Sequence, residues 1–307
     1  MINPLQAVRN VPRRTWVRYR FAYLVLVPTL LLFTYLRVVP TGQAFLMSLF
    51  DWGLIKPAEK FVGLDNYINL LSDRNFTTAF FNTTIFAVAT TVISVLLAIV
   101  LAAFLARAVR GRTGGALELL YFAPVLVPMV PVTLGWREIF NYQHGVLNSA
   151  LGIFGIDRVP WLSNPDMALV AVIILSVWKQ LGYNMIILIV GMRAIPRIYE
   201  EAASVDGASA WQQFRHITMP LLAPVTLFVI VITTIASYNV FTQVYVLASD
   251  VQGSPGRLVR VIVYDIFENG FRFFNMGYAA AEAVYLFVII MALTIIQFRF
   301  LRGRTVQ

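Results

Sequence analysis

The sequence predicts an all-α membrane protein with six transmembrane helices. Of its 307 residues, 59% are hydrophobic and only 13% are charged, whereas charged residues make up about 25% of an average soluble domain. The mean hydropathy of +0.75 agrees with this composition. Long apolar segments alternate with charged connections along the whole chain, which is typical of helices that cross a bilayer repeatedly.

The apolar segments divide into six predicted spans, since a transmembrane helix needs about 20 mostly apolar residues. They lie at residues 21–40, 79–106, 117–138, 167–192, 220–246 and 278–299. The third span contains Pro124, Pro128 and Pro131, which predict either a kink near a gate or a packing bend. Charged residues interrupt two other spans, Lys179 in the fourth and Glu282 in the sixth.

The distribution of basic residues predicts the orientation of these spans. Arginine is concentrated in the N-terminal segment, the 107–116 connection, the 193–219 loop and the C-terminus. The positive-inside rule places these segments and both termini in the cytoplasm. The predicted organisation is therefore a cytoplasmic segment 1–20, a six-helix region 21–301 with a cytoplasmic loop 193–220, and a cytoplasmic tail 302–307. The longer opposite connections are expected to form short interfacial helices.

Composition also excludes several kinds of chemistry. The chain has no cysteine and only two histidines, which argues against thiolate or multi-histidine metal sites and against catalytic dyads. None of its three lysines follows a glycine, so a phosphate-binding loop for ATP is absent. The net charge of +9 indicates contact with anionic lipid headgroups rather than binding to nucleic acid, because the arginines flank apolar spans. No cleavable signal peptide is evident.

The cytoplasmic loop 193–220 has the signals of two short helices joined by a glycine turn. Glu200 and Glu201 favour the first turn of a helix, where the helix dipole stabilises negative charge. Asp206-Gly207 favours its end, since glycine adopts the left-handed conformation without strain, and Ser209 can cap a second helix. From the residues alone, the loop is either a well-capped re-entry turn or a surface on which a partner docks.

The same loop resembles the signature of ABC-importer permease subunits, in which Glu-Ala-Ala is followed by Gly and then by Ile-x-Leu-Pro. Here the matching residues are Glu201, Ala202, Ala203, Gly207, Ile217 and Pro220, with Met219 in place of Leu. Asp206-Gly207-Ala208 is also typical of that family. Segments 61–67, 178–185 and 277–281 resemble its carbohydrate-uptake, maltose-type branch, whereas Gly253-Ser254-Pro255 departs from the Gly-Gly-Pro of many relatives.

The resemblance implies an ABC type I importer permease fold and a transport role without enzymatic activity. It implies that the loop couples to a separate ATPase through Glu200, Glu201, Ala202, Ala203, Asp206, Gly207, Ala208, Ile217 and Pro220. The implied partners are a sister permease in a heterodimer, two cytoplasmic ATPase subunits, an extracytoplasmic sugar-binding protein, the sugar and membrane lipid. ATP and Mg would sit on the ATPase subunits, and this chain would bind no cofactor. The implied location is a bacterial or archaeal plasma membrane.

Polar residues within the spans are candidates for the substrate pathway. Lys179 either pairs with Glu282 or lines the pathway, because a charge in a bilayer is costly. The resemblance places Tyr183 at a sugar-contacting position, and Asn184 follows it; helix packing is the alternative. In the fifth span the candidates are Tyr238, Asn239 and Gln243. Asn239 and Gln243 would share one helical face, and interhelical hydrogen bonding is the alternative.

The class of substrate stays open between several alternatives. A neutral mono- or oligosaccharide is expected. An anionic polyol phosphate or acidic oligosaccharide is the alternative, since Lys179 could meet a negative charge. An ion-coupled secondary carrier is disfavoured because Glu282 is the only acidic residue expected to be buried in the membrane. An integral-membrane enzyme is disfavoured by the shortage of His, Cys and clustered carboxylates.

Overall fold

The structure is a computed structural model that describes residues 13–53, 55, 60–108, 112–248 and 259–302. The predicted terminal segments therefore lie partly outside the described residues, and the Gly253-Ser254-Pro255 departure lies wholly outside them. The first span runs from α1 (Arg13–Phe33) through a π-helical turn (Thr34–Val38) into α2 (Val39–Met47). A two-stranded antiparallel ladder, β1 (Phe50–Asp51) with β2 (Lys60–Phe61), follows it, a small exception to the all-α prediction.

The middle of the chain contains the long helices that form the centre of the bundle. A short helix, α3 (Asp65–Ser72), leads into α4 (Arg74–Ala108). The next elements are α5 (Arg112–Leu126), α6 (Met129–Ile139), α7 (Val146–Ile153) and α8 (Pro165–Arg193). Asn164 caps α8, because its side chain accepts hydrogen bonds from the amides of Asp166 and Met167.

The C-terminal part begins with the predicted cytoplasmic loop. Helix α9 (Ile198–Val205) and the short α10 (Ala210–Gln213) lead through a π-helical turn (Phe214–Thr218) into α11 (Met219–Tyr238). Helices α12 (Thr242–Ala248) and α13 (Ile262–Phe267) follow. A third π-helical turn (Glu268–Arg272) precedes the last helix, α14 (Met276–Arg302).

In the described residues, five helices are long and apolar enough to cross a membrane: Tyr19–Met47, Arg74–Ala106, Pro165–Arg193, Ala210–Tyr238 and Met276–Arg299. If the bent pair of helices Thr113–Leu126 and Met129–Ile139 is counted as one span, the number of spans in the described residues rises to six. The predicted positions of the first, second, fourth and sixth spans agree with these helices. The third span is present as the bent pair, and the fifth span differs from the prediction.

The third span is sharply bent within the proline-containing segment where a kink or a packing bend is predicted. Its two halves, α5 and α6, meet at 99°. Pro128 lies at the junction in an extended conformation, with φ −57° and ψ 149°. Proline has no amide hydrogen and disfavours a helical conformation in the residue before it, which favours the end of α5 at this junction.

The fifth span is shifted toward the N-terminus, so the prediction of a helix over 220–246 is wrong at both ends. The helix begins in the loop at Ala210 and ends at Tyr238. The π-helical turn carries it past Pro220, since the Met219 amide bonds to the Phe214 carbonyl one residue further back than in an α-helix. Asn239 ends it by donating from its side-chain amide to the Ile235 carbonyl at 2.7 Å.

The centre of the bundle is formed by α4, α8 and α11. Small residues of α4 lie at this contact, where Ala98 and Ala102 are fully buried, and they allow close helix packing. Met185 and Leu188 of α8 and Leu222 of α11 complete the same core. By contrast, the first span, Tyr19–Met47, has no buried residue in its most apolar stretch. Its apolar surface therefore needs lipid or another protein to cover it.

Candidate functional site

The loop predicted to be cytoplasmic contains the predicted helix, turn and helix. Glu200 and Glu201 lie in the first turn of α9, and Asp206 ends it. Gly207 has φ +77°, the left-handed conformation that favours glycine. The amide of Ala208 bonds back to the Ala203 carbonyl at 2.9 Å and closes the helix end. These helix boundaries and the glycine turn are confirmed.

The second helix starts with a capping box, which confirms the predicted cap. The Ser209 hydroxyl accepts from the Gln212 amide, and the Gln212 side chain accepts from the Ser209 amide at 2.7 Å. Gln213 ties the two helices together, since its side-chain amide donates to the Ser204 hydroxyl at 3.0 Å and to the Ala208 carbonyl at 3.1 Å. The loop is therefore a folded unit and not a flexible connection.

The loop presents apolar side chains that nothing in the described chain covers. Val205 is 89% exposed and Trp211 is 66% exposed, and no residue of α9 is buried. A groove of about 280 Å³ lies beside them, lined by Asp206, Gly207, Ala208, Gln212, Gln213, His216 and Ile217. Among the residues named for coupling, Glu201, Ala202, Asp206, Gly207 and Pro220 are exposed, and Glu200, Ala203, Ala208 and Ile217 are half-buried.

The loop is joined firmly to the membrane helices at both ends. At its C-terminal side, one helix runs without interruption from Ala210 to Tyr238. At its N-terminal side, Arg193 at the end of α8 forms an ion pair with Glu118 of α5, with 2.5 Å between Nη2 and Oε1. A movement of the loop would therefore be transmitted to α11 directly and to α5 and α8 through this contact.

Among the described residues, Lys179 contacts backbone carbonyls of the broken third span and no carboxylate. Its ammonium donates to the carbonyl of Pro124, to that of Val127 at 2.5 Å and to that of Val125 at 3.4 Å. The predicted alternative of a Lys179–Glu282 pair is wrong, because the side chain of Glu282 accepts instead from Asn269 at 2.9 Å. The three N–H donors of the ammonium match three acceptors at a helix C-terminus, where the helix dipole favours a positive charge.

Tyr183 and Asn184 are adjacent in sequence but have opposite surroundings. Tyr183 is 47% exposed on the surface of α8. Asn184 is 1% exposed; it donates to the Ser94 hydroxyl at 3.3 Å and accepts from the Thr233 hydroxyl at 3.1 Å. Asn184 therefore links α4, α8 and α11, which corresponds to packing within the chain rather than to a surface that lines a pathway.

The three candidates of the fifth span do not form one stripe. Tyr238 is buried, and its hydroxyl donates to Thr84 of α4 at 3.4 Å. Asn239 is the exposed cap of α11, and Gln243 is half-buried in α12. The prediction that Asn239 and Gln243 share a helical face is wrong, because the helix ends between them.

A group of charged and polar residues whose acidic side chains are buried lies between α13 and α14; we call it the Arg260 cluster. It consists of Arg260, Asp265, Glu268, Asn269, Arg272 and Glu282. Arg260 pairs with Asp265 at 3.2 Å and also with Glu268. Asn269 donates from its side-chain amide to Glu282 at 2.9 Å. Burial raises the pKa of Asp265, and the charge of Arg260 opposes that shift.

Comparison with known proteins identifies the family of the chain. Residues 94–306 match the family described as binding-protein-dependent transport system inner membrane component. The chain belongs to this family. It is a multi-pass inner-membrane component, as the sequence predicts, and the resemblance to the carbohydrate branch of ABC-importer permeases is confirmed.

Two relatives and one solved structure are similar to this chain over nearly its whole length. It is 34% identical over 282 residues to the sn-glycerol-3-phosphate transport system permease protein UgpA of Agrobacterium fabrum, covering 92% of this chain and 94% of that one. It is 31% identical over 291 residues to the trehalose/maltose transport system permease protein MalF of Thermococcus litoralis, covering 94% and 97%. Its fold resembles the crystal structure of a bacterial ABC transporter involved in the import of the acidic polysaccharide alginate, with a TM-score of 0.83, 22% identity and coverage of 94% and 98%.

Two features of the permease were missed by reasoning from the sequence. Glu282 is not the only buried acid, since Asp265 and Glu268 are each 1% exposed. The spacing of Asp265, Glu268 and Arg272 along one helical face was the available signal. The contacts of Lys179 with backbone carbonyls also had a signal in the sequence. Pro128 and Pro131 stand four residues after Pro124 and Val127, so the carbonyls of Pro124 and Val127 lose their helical donors.

Proposed function

We propose that this chain is the transmembrane permease subunit of an ATP-driven, binding-protein-dependent sugar importer. In this proposal it forms half of the translocation pathway with a sister permease. It couples to two cytoplasmic ATPase subunits through the 201–220 loop and receives its substrate from an extracytoplasmic binding protein. ATP and Mg belong to the ATPase subunits. Family membership supports the binding-protein dependence.

The observation that carries the proposal is the folded, uncovered loop at the end of a long helix. Val205 and Trp211 expose apolar surface that a docked partner would bury. The continuous helix Ala210–Tyr238 connects the docking surface to the centre of the bundle, so a movement of the partner would move this helix. A conformational change of the ATPase would thereby shift the permease between its two access states. The exposed first span offers surface for lipid and for the sister subunit.

The coupling part is tested by one pair of variants with the same backbone strain. Gly207 has φ +77° and Gly155 has φ +74°, and a Cβ at either position would meet open space. Replacing either glycine with valine therefore imposes the same local strain, of about 1–2 kcal/mol. Complexes are purified through a tag on this chain, and the bound ATPase is quantified.

We expect the Gly207→Val complex to lose its ATPase and the Gly155→Val complex to keep it. Retention of the ATPase by both variants would contradict coupling through this loop. A parent chain that purifies intact with no ATPase, and whose uptake follows an ion gradient without ATP, would instead indicate a secondary carrier.

The substrate is proposed to be a neutral mono- or oligosaccharide, with an anionic polyol phosphate or acidic oligosaccharide as the second candidate. The name of the MalF relative favours the first and that of the UgpA relative favours the second. Uptake into proteoliposomes is measured with trehalose, maltose, sn-glycerol 3-phosphate and an alginate oligosaccharide. Tyr183 is the pathway candidate with an exposed side chain on α8, and Tyr183→Ala is expected to raise the KM for the transported compound.

A further inference from the structure

We propose that Lys179 is a positioning residue that holds the third span bent against α8, and that it does not recognise the charge of the substrate. The proposal follows from which carbonyls Lys179 contacts. In an uninterrupted helix, the Pro124 carbonyl would accept from the amide of residue 128, and the Val127 carbonyl from that of residue 131. Both positions are proline and have no amide hydrogen.

Lys179 supplies donors to these same two carbonyls. A backbone carbonyl without a donor is costly at membrane depth, and neighbouring helices commonly satisfy those that proline frees. The negative end of the α5 dipole adds an electrostatic attraction to the ammonium. The charge of Lys179 is therefore used within the chain, which removes the reason for assigning it to an anionic substrate.

A second anchor lies on the same face of α8, three residues further along. A Cβ on Gly182 would lie 2.1 Å from the Tyr121 carbonyl oxygen and 3.0 Å from the Phe122 Cα. Only glycine allows the backbone of α5 to approach α8 this closely. Gly182 and Lys179 thus fix the last two turns of α5 from one side.

The other half of the broken span rests on the same stretch of α8. Trp136 of α6 packs edge-to-face against Trp178, with 5.5 Å between the ring centroids. The stretch from Trp178 to Gly182 therefore contacts both helices that meet at the 99° bend. Loss of the Lys179 donors is expected to release α5 at its C-terminal end, where the bend is made.

The bend is measured with spin labels, which the natural absence of cysteine makes direct. Ala116→Cys on α5 and Leu134→Cys on α6 place labels at exposed positions on either side of the break. In a continuous helix these two Cα atoms would be about 27 Å apart, and the bend brings them closer. Electron–electron distances are recorded on the full chain in lipid with Lys179, with Lys179→Met and with Lys179→Arg. Gln180→Met, on the adjacent half-buried residue, is the matched control.

We expect Lys179→Met to shift the label distances toward the longer value or to broaden them. Lys179→Arg, which keeps N–H donors and charge, and the Gln180→Met control should both keep the parental distribution. A parental distribution in Lys179→Met would overturn the proposal. If Lys179→Met yields no folded protein, normal folding of Lys179→Arg supports the proposal and its failure to fold contradicts it. These readouts need neither ATPase nor substrate, so they are independent of the proposed function.

Uptake then separates positioning from charge recognition. Under the proposal, Lys179→Met reduces uptake of neutral and anionic compounds by the same factor, and Lys179→Arg restores both. Selective loss of anion uptake, with unchanged label distances, would show that Lys179 recognises substrate charge.

Discussion

The predicted cytoplasmic loop and the Arg260 cluster are both polar parts of an apolar protein, but their contacts span very different distances along the sequence. Between the two short helices of the loop, α9 and α10, the longest-range side-chain hydrogen bond joins residues only nine apart, Ser204 and Gln213. Around the cluster, Asn82 donates to the Arg260 carbonyl across 178 residues, and Tyr278 donates to Asp73 across 205. The loop is exposed, whereas the acids of the cluster are almost fully buried.

The difference separates the two regions energetically. An exposed loop held by caps and turns contributes little to overall stability, and its apolar side chains are available to a partner. A buried group of charges has paid a large desolvation cost, which only complete pairing offsets. Changes in the loop should therefore impair coupling more than folding, and changes in the cluster should impair folding first.

The largest effect is expected from Arg260→Met. This change leaves Asp265 and Glu268 buried without their shared cation, and breaking a buried ion pair costs about 3–5 kcal/mol. Reversible unfolding in mixed lipid–detergent micelles would measure the loss. Arg272→Met is the matched control, since the Arg272 side chain is 49% exposed and its pairing distance to Glu268 is 3.5 Å. Equal losses of unfolding free energy in the two variants would mean that the burial of an arginine does not determine how much it stabilises the cluster.

Gly182→Ala is expected to have the next largest effect, because it tests a second contact between segments distant in sequence. The added Cβ would overlap backbone atoms of Tyr121, which cannot rotate away. Overpacking of this kind costs about 1–3 kcal/mol. Gly135→Ala in α6 is the control, because its Cβ would meet nothing within 4 Å. There, alanine should gain up to about 1 kcal/mol from its helix propensity. The unfolding free energies of the two variants should therefore move in opposite directions.

The same comparison explains which features could be predicted from the sequence. The helix ends at Gly207 and Ser209 depend on neighbouring residues, and their predictions agree with the structure. The apolar length of a span is also a local property, and the predicted first, second, fourth and sixth spans agree with the structure as well. The family signature also lies in one continuous stretch. The partners of Lys179 are 52 to 55 residues away in the chain, and those of Asn184 are 49 and 90 residues away. Periodicity shows which face such a residue occupies but not what stands opposite.

The breaks within spans were the second source of error, for a related reason. Proline identity predicts a disturbance in the third span but not its angle, because the bend also requires an external donor for the freed carbonyls. At Pro220 the opposite happens: a π-helical turn absorbs the proline, and the helix continues. Whether a proline breaks a membrane helix therefore depends on the surrounding backbone and on neighbouring helices.

Ser209→Ala tests the local side of the comparison. Loss of the N-cap at α10 should cost about 1 kcal/mol, and Ser209→Asp should retain the cap. Because the loop is exposed, we expect little change in overall unfolding and a clear increase in hydrogen exchange of the amides of residues 209–213. The amount of bound ATPase should also fall when the cap is lost in Ser209→Ala. A Ser209→Ala variant with unchanged exchange would show that tertiary contacts, and not the capping box, hold the loop.

The smallest effect is expected from Asn184→Leu, although Asn184 joins three helices. Interhelical hydrogen bonds in membrane proteins contribute about 0.6 kcal/mol on average, because the unfolded chain in lipid also finds partners. Adding Thr233→Val to Asn184→Leu removes the opposite partner as well, so the double variant should be no less stable than the single one. The KM for uptake should stay unchanged in both variants, since Asn184 is 1% exposed. A raised KM with parental stability would return Asn184 to the substrate pathway, because a packing contact alone does not change affinity.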